Sequence, residues 1–179
     1  ASALEPEESA NYDDQISAQA DSGVTISFSP TSGSASLTPT TSDGASAKIN
    51  INANVSIAST GGYTIYLGGK NAALTGEKTG QIPGATTATT FSNMKTNTWG
   101  YAVVEGSNVP DAATYSALPQ GQGISLESKN GNQTNINKTY AISFATKIGN
   151  DKPADVYSNQ VTLSVTSTPL QISSLTSLA

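Results

Sequence analysis

The clearest pattern in the chain is a strict alternation of apolar and polar side chains over residues 47–58. The apolar members are separated by single polar residues and are Ile49, Ile51, Ala53, Val55 and Ile57. A period of two places successive side chains on opposite faces of a β-strand. At ~3.3 Å per residue this strand would reach about 40 Å, which is longer than most strands. The segment therefore predicts a long strand with one face in a core.

Other segments with the same period lie before and after this strand. They are residues 24–28, 63–67, 99–104, 136–148 and 157–165. Gly, Asn, Asp and Pro separate them, and no ten-residue stretch has helical spacing. The short glycine turn at residues 61–62 predicts a hairpin between the long strand and residues 63–67. We predict an all-β fold, an antiparallel two-sheet sandwich of jelly-roll or immunoglobulin-like type, which a strand from a neighbouring subunit could complete.

The two ends of the chain differ from this body. Residues 1–22 contain six acids and few apolar side chains, whereas the last eleven residues are more apolar than a solvated end needs to be. A chain of 179 residues is suited to one domain. We therefore predict an acidic N-terminal arm over residues 1–22, a β-sandwich over residues 23–168 and a C-terminal tail over residues 169–179.

Apolar side chains in the arm and the tail suggest that one end is donated to a neighbouring subunit by strand addition. Residues 16–20 of the arm are the favoured donor, and residues 170–178 are the rival. The residues expected at an interface between subunits are Tyr12, Ile16, Ala18, Ala20, Leu170 and Ile172.

Charge and composition limit the classes of molecule that the protein is expected to bind. The net charge is −5 and the pI is near 4.5, so the surface should repel nucleic acid and anionic lipid. No apolar run approaches the ~20 residues of a membrane span, which argues against membrane insertion. The chain begins at Ala1 without methionine, as an exported protein would after loss of a signal peptide. Together with a Ser and Thr content of roughly a quarter, this predicts an extracellular, cell-surface location.

The residues needed for common enzyme chemistry are missing. The chain has no histidine and no cysteine, which removes the commonest general base, nucleophile and soft metal ligands. A Ser-x-x-Lys at residues 92–95 follows the Lys-Thr-Gly at residues 78–80, the reverse of the order in penicillin-binding proteins. The acid pairs, Asp13 with Asp14 and Asp151 with Asp155, lack the spacing of a calcium loop. We predict no enzyme, no catalytic residue, no cofactor and no metal site.

Two further possibilities depend on single side chains. Alternation places Tyr66 and Tyr101 on the outer faces of their strands, where the rings could stack on carbohydrate, although covering a layer or a sheet edge is the more ordinary role. Lys138 falls on the core face of its strand and could form a pilin-type cross-link with Asn159.

Several fragments together resemble a known family. They are Gly62-Tyr63-Thr64-Ile65-Tyr66-Leu67, Asn97-Thr98-Trp99-Gly100-Tyr101, Tyr115 with Leu118-Pro119, Ser143 to Ile148, and Pro153 to Val161. Their order and spacing resemble the secreted β-sandwich surface domains of ultrasmall, Saccharibacteria-like bacteria, over residues 22–168. The family usually has glycine where this chain has Asp155, in a turn that would suit positive φ. The resemblance implies surface exposure and a structural or adhesive role, with no catalytic residues.

The leading hypothesis is a non-enzymatic structural subunit of an extracellular filament or cell-surface layer, a pilus-like homopolymer built by strand addition. The alternative is a monomeric adhesin or carbohydrate-binding module whose partner is a glycan or protein of a host or partner cell. Its site would lie in residues 68–90 or in the loops of residues 105–123.

Overall fold

The computed structural model describes residues 10–78 and 80–170 of the chain. This part contains thirteen strands, one 3₁₀ helix (Phe91–Asn93) and no α-helix, so none of its helices could span a membrane. The strands are β1 (Ala10–Ala20), β2 (Val24–Ser29), β3 (Ser32–Leu37), β4 (Ala45–Ile57), β5 (Thr60–Gly69), β6 (Leu74–Gly76), β7 (Gln81–Ile82), β8 (Thr89–Thr90), β9 (Thr98–Glu105), β10 (Thr114–Tyr115), β11 (Ile124–Gln133), β12 (Ile136–Ile148) and β13 (Val156–Ser167). The predicted all-β sandwich is confirmed.

Two sheets form the body of the sandwich. Sheet A has the order β11-β5-β13-β1-β3, with β6 and β7 added beside β13, and sheet B has the order β2-β4-β12-β9. The pairing of β1 with β13 is parallel, whereas the other strand pairs among the described residues are antiparallel. The first strand of the described chain thus lies beside the last one, inside sheet A.

The predicted long strand is confirmed as β4, at the centre of sheet B. It pairs with β12 from Ile57↔Ile136 to Ala45↔Ile148 without a register shift. Its inward side chains from Ile49 to Ile57 are all nearly inaccessible to solvent, with Ile49 the most exposed of them at 4%, whereas Ala45 and Ala47 are partly buried. Because one face is so completely buried, slipping the register by one residue would turn every apolar side chain outward.

The predicted hairpin between β4 and β5 is wrong. β4 pairs with β2 and β12 in sheet B, whereas β5 pairs with β11 and β13 in sheet A, so the chain crosses between the sheets at residues 58–59. The crossing is held where the Ala58 N–H donates to the Gly23 carbonyl at 2.9 Å and the Thr60 hydroxyl donates to the Thr168 carbonyl at 2.6 Å. Gly61 has no room for a side chain, since a Cβ there would lie 2.2 Å from the Pro169 carbonyl oxygen.

Trp99 anchors the core, and Tyr101 departs from its predicted position on the outer face. The Trp99 side chain is fully buried, and its indole N–H donates to the Ala72 carbonyl at 3.0 Å. Tyr101 and Val103 pack against the same core, so the inward phase of β9 includes Tyr101 and its predicted outer position is wrong. The opposite face of β9 carries Ala102. Its side chain packs in a second apolar cluster together with Met94 and Tyr115.

Candidate functional site at the first strand

The N-terminal segment forms a strand inside sheet A. β1 pairs with β13 from Asn11↔Val156 to Ala20↔Val165 and with β3 from Ala10↔Leu37 to Gln15↔Ser32. We call the space between β13 and β3 the β1 slot. Because β1 fills it with backbone hydrogen bonds on both sides, Ala10–Ala20 belongs to the sandwich, and the predicted boundary between arm and sandwich at residue 22 is corrected to a position before Ala10.

The inward face of β1 is only partly apolar. Tyr12 and Asp14 are fully buried and Ile16 is 6% exposed. Among the described residues, the Tyr12 hydroxyl and both Asp14 carboxylate oxygens are buried without a hydrogen bond of acceptable geometry. Burial raises the pKa of Asp14 to about 8, and the Tyr12 hydroxyl beside it offsets this only in part. Asp14 is therefore held as a neutral acid at pH 7.

The second half of β1 has an open edge. The pairing with β3 ends at Gln15, and the Ile16 N–H makes one further bond, to the Thr31 carbonyl at 3.3 Å. Beyond that point, residues 17–20 pair only with β13, and both Ala18 and Ala20 are exposed.

Three residues, numbers 21–23, join β1 to β2 in the opposite sheet. The Ser167 N–H donates to the Asp21 carboxylate at 2.9 Å, and Gly23 adopts a φ of 81°. A left-handed φ of this size favours glycine, which accounts for the residue at the end of the connection. β1 is thus attached to the rest of the chain at one end by a short turn.

The predicted interface residues fall into three groups. Tyr12 and Ile16 lie in the core of their own chain, which corrects the view that this chain leaves them on its surface. Ala18 and Ala20 lie on the open half of β1, and Leu170 is 48% exposed at the end of the described chain. Ile172 lies outside the described residues. The role of all six between subunits stays a prediction.

Asp14 is the residue that the sequence analysis missed. Tyr12, Ile16, Ala18 and Ala20 were recognised as apolar positions, and their spacing of two extends through residue 14. An acid at one core position of an alternating strand was the available signal. Two adjacent acids suggest a pair that acts together, whereas the strand places the side chains of Asp13 and Asp14 on opposite faces.

The outer face of the same two strands forms a polar groove. Two adjoining hollows of about 450 and 320 Å³ share Gly121 and Thr162 and follow the strand direction. The outward side chains of β1 and β13 form its floor, and Gly69, Lys70 and residues 121–122 border it. Both loop regions predicted to carry a binding site, residues 68–90 and 105–123, thus contribute to this one groove.

The residues considered for other chemistry are not brought together. Ser92 is exposed on the 3₁₀ helix above sheet B, whereas Asn159 lies buried on β13 in sheet A. Within residues 10–78 and 80–170, no group of three or more His, Cys, Asp or Glu side chains could hold a metal ion. The Asp151 carboxylate accepts from the Asn97 amide at 3.1 Å, and the Asp155 carboxylate accepts from the Val156 N–H at 2.8 Å.

Lys138, on β12 of sheet B, and Asn159, on β13 of sheet A, lie at different levels along the strands. Lys138 lies 3.5 Å from both Glu105 and Glu127, and Glu127 belongs to the β11–β5 pair at the level of Ile65. Ile65 pairs with Val165, six residues along β13 from Asn159, or about 20 Å in an extended strand. The side-chain amide of Asn159 instead donates to the Asn71 carbonyl at 2.7 Å. The proposed cross-link is therefore ruled out by distance.

The departure from the resembled family at position 155 has a structural account. Only Asn97 and Asn135 have positive φ among the described non-glycine residues, so Asp155 does not need the conformational freedom of glycine. Its carboxylate is buried and also accepts from the Lys78 N–H at 3.0 Å, which ties β13 to the turn after β6. The Asp155 side chain therefore makes a hydrogen bond between two segments that a glycine at this position could not make.

No protein-family model matches the chain, and no curated protein is significantly similar to it.

Proposed function

We propose that the chain is a non-enzymatic structural subunit of an extracellular filament or cell-surface layer, in which β1 of one copy occupies the β1 slot of the next. The observation that carries the proposal is the position of β1. It is the first strand of the described chain, and it lies between two strands while a single short turn attaches it to the body. Such a strand can leave its slot when that one turn opens, and the same strand of another copy can then take its place.

An exchanged strand would make the same contacts between copies that it makes within one copy. Its backbone would pair with β13 and β3, and Tyr12, Asp14 and Ile16 would fill the same core positions. Short connections favour exchange between copies, because opening the turn into an extended segment relieves it of its tight geometry. Extension of residues 20–24 would span on the order of 13 Å.

The direction of the exchange favours a polymer. Each copy would donate β1 from one part of its surface and accept a strand in another, which is a head-to-tail contact. A head-to-tail contact that does not close into a ring gives an open filament. The acidic, Ser- and Thr-rich composition and the resemblance to secreted surface domains support an extracellular location.

Cysteine cross-linking tests the proposal directly, because the chain has no cysteine of its own. Ser17 and Thr162 are register partners on the outer face of the β1–β13 pair, a geometry that brings two introduced thiols within disulfide range. The variants Ser17→Cys and Thr162→Cys, prepared separately and mixed at high concentration under oxidising conditions, should form a disulfide between copies. Mass spectrometry of the cross-linked peptide and electron microscopy of the product are the measurements.

A matched control uses Asn54→Cys in place of Thr162→Cys. Asn54 is exposed on the outer face of sheet B, away from the β1 slot. We expect no specific disulfide between Ser17→Cys and Asn54→Cys. A chain that stays monomeric at every concentration, or polymers in which no disulfide forms between Ser17→Cys of one copy and Thr162→Cys of another, would refute the exchange of β1.

A further inference from the structure

A ladder of neutral polar side chains forms the floor of the groove on the outer face of sheet A. The parallel register pairs Gln15 with Gln160, Ser17 with Thr162, and Gln19 with Ser164. All six lie on the outer face, because the alternation of the two strands places the buried positions, such as Ile16 on β1 and Val161 on β13, on the opposite face. Their side chains make no hydrogen bond with any described residue. They therefore offer amide and hydroxyl donors and acceptors to an external ligand.

The wall of the groove is fixed by close backbone packing. Gly121 donates its N–H to the Gly69 carbonyl at 2.9 Å, and the Gln120 side chain donates to the Lys70 carbonyl at 3.2 Å. A Cβ on Gly68 would lie 2.0 Å from the Gly121 carbonyl oxygen, so only glycine permits this approach. The groove is thus already formed in the chain without a ligand, which lowers the cost of binding.

The charges and apolar groups around the groove limit what it can bind. Its charged side chains are Lys70 toward one end and Asp21 toward the other, so it carries no excess of either sign. A single lysine on a chain of net charge −5 is a poor match for a phosphate backbone or a sulfated polymer. The lining also lacks the aromatic or arginine anchors that dominate protein interfaces.

We propose that this groove binds a neutral polysaccharide, with the sugar chain lying along β1 and β13. Sugar hydroxyls both donate and accept hydrogen bonds, as do the amides and hydroxyls of the floor. Tyr66 is outside the lining of both hollows but lies on the outer face of the next strand, β5, in register with Ser164, so its ring borders the side of the groove. Because the hollows follow the strands, an internal stretch of a long polymer can bind.

This proposal also has a consequence for the filament. Gln15, Ser17 and Gln19 belong to β1, so in an assembly built by the proposed exchange they would come from a neighbouring copy. Each groove would then be shared by two copies, and a filament would present it at every junction. The groove is complete in a single chain as well, so glycan binding can be tested whether or not the chain polymerises.

The experiment uses the full chain on an array of neutral oligosaccharides (glucan, mannan and chitin fragments) with sialylated and sulfated glycans for comparison. Calorimetry then gives the Kd for the strongest neutral hit. The double variant Gln15→Ala, Gln160→Ala should weaken binding at least tenfold, because it removes both amides at one level of the floor. Asn54→Ala, which removes an exposed amide from the outer face of sheet B, is the control and should change the Kd less than twofold.

Light scattering of the same samples reports assembly separately from sugar binding. The proposal is overturned by the absence of saturable binding to any neutral glycan, or by binding only to charged ones. It is equally overturned by an unchanged Kd in the double variant, or by self-association that the double variant abolishes while no sugar binds. Failure to polymerise together with saturable, Gln15- and Gln160-dependent sugar binding would refute the exchange of β1 and leave the groove assignment standing.

Discussion

β4 and β1 are both alternating strands with a neighbour on each side, yet they differ in what holds them. β4 buries an entirely apolar face and pairs with β12 along its whole length. β1 buries a hydroxyl and a carboxyl without partners and pairs with β3 only as far as Gln15. Backbone hydrogen bonds are similar in the two cases, so the difference lies in the side chains.

This difference separates a permanent part of the sandwich from a removable one. An unpartnered buried polar group costs on the order of 1–3 kcal/mol, so β1 gains less from burial than its length suggests. A strand that buries polar groups without hydrogen bonds and has few apolar contacts is the natural one to be released or exchanged. β4 lies in the middle of the chain and buries an apolar face, although its pairing with β2 likewise covers only part of one edge, from Asn52 to Ile57.

The largest expected contrast comes from the same truncation in each strand. Ile51→Ala in β4 should lower the free energy of unfolding by about 3–5 kcal/mol, because it leaves a cavity at the centre of the core. Ile16→Ala in β1 should cost about 2 kcal/mol, since Ile16 lies where the pairing with β3 ends. Urea unfolding of both variants measures the difference. Equal losses would contradict the view that β1 is the weaker strand.

The second contrast is pH dependence, which Asp14→Asn should remove. The pKa of Asp14 in the folded chain, about 8, lies above its ordinary value of 3.8, so the folded state holds the proton more tightly. The protonated Asp14 carboxyl makes its full contribution to the free energy of unfolding below about pH 4. This contribution is lost as the pH rises through about 8, and the free energy of unfolding falls by at most ~1.4 kcal/mol per pH unit. Because the chain has no histidine, few other side chains titrate between pH 5 and pH 8.

Urea unfolding at several pH values between 5 and 9 measures this slope. Asp13→Asn is the matched control, because Asp13 is the neighbouring acid on the outer face of the same strand. We expect the control to keep the slope of the original chain and Asp14→Asn to flatten it. A slope that survives in Asp14→Asn would show that Asp14 is not the neutral buried acid described above.

The smallest expected difference in stability is between substitutions on the outer faces of β4 and β1. On sheet B, the Thr139 hydroxyl donates to the Asn54 side chain at 2.8 Å across the β4–β12 pair. Asn54→Ala should therefore cost about 0.5 kcal/mol, or roughly 1–2 °C in Tm. Ser17→Ala on β1 should leave Tm unchanged, because the Ser17 hydroxyl has no partner among the described residues. Differential scanning calorimetry checks both, and a larger loss for Ser17→Ala would place a structural role where we propose a binding one.

Much of the body of the fold was predictable because its signals are local. The alternation over β4, the inward phase of β12 and β13, and the burial of Trp99 all follow from side chains that repeat along one strand. The wrongly predicted hairpin between β4 and β5 shows what such local patterns cannot determine. A glycine-rich connection is compatible both with a return in the same sheet and with a crossing to the other, because each keeps the alternation intact.

The candidate site was less predictable for the same reason. Residues 10–20 alternate, but their acids and small side chains resemble those of a solvated segment when considered alone. What makes them a strand is the pair of open edges on β13 and β3, which come from elsewhere in the chain. The groove depends on this juxtaposition as well, since Gln15 and Gln160 are neighbours only because β1 lies parallel to β13.

The sequence by itself determined the class of fold, the long central strand and the lack of histidine and cysteine chemistry, because composition and period-two patterning act within single segments. Only the tertiary structure decided that the first strand lies between β13 and β3, that Asp14 is buried without a partner, and that two rows of neutral side chains share one face. Those outcomes depend on which edges meet, and strand pairing between distant segments is set by the packing of the whole sandwich.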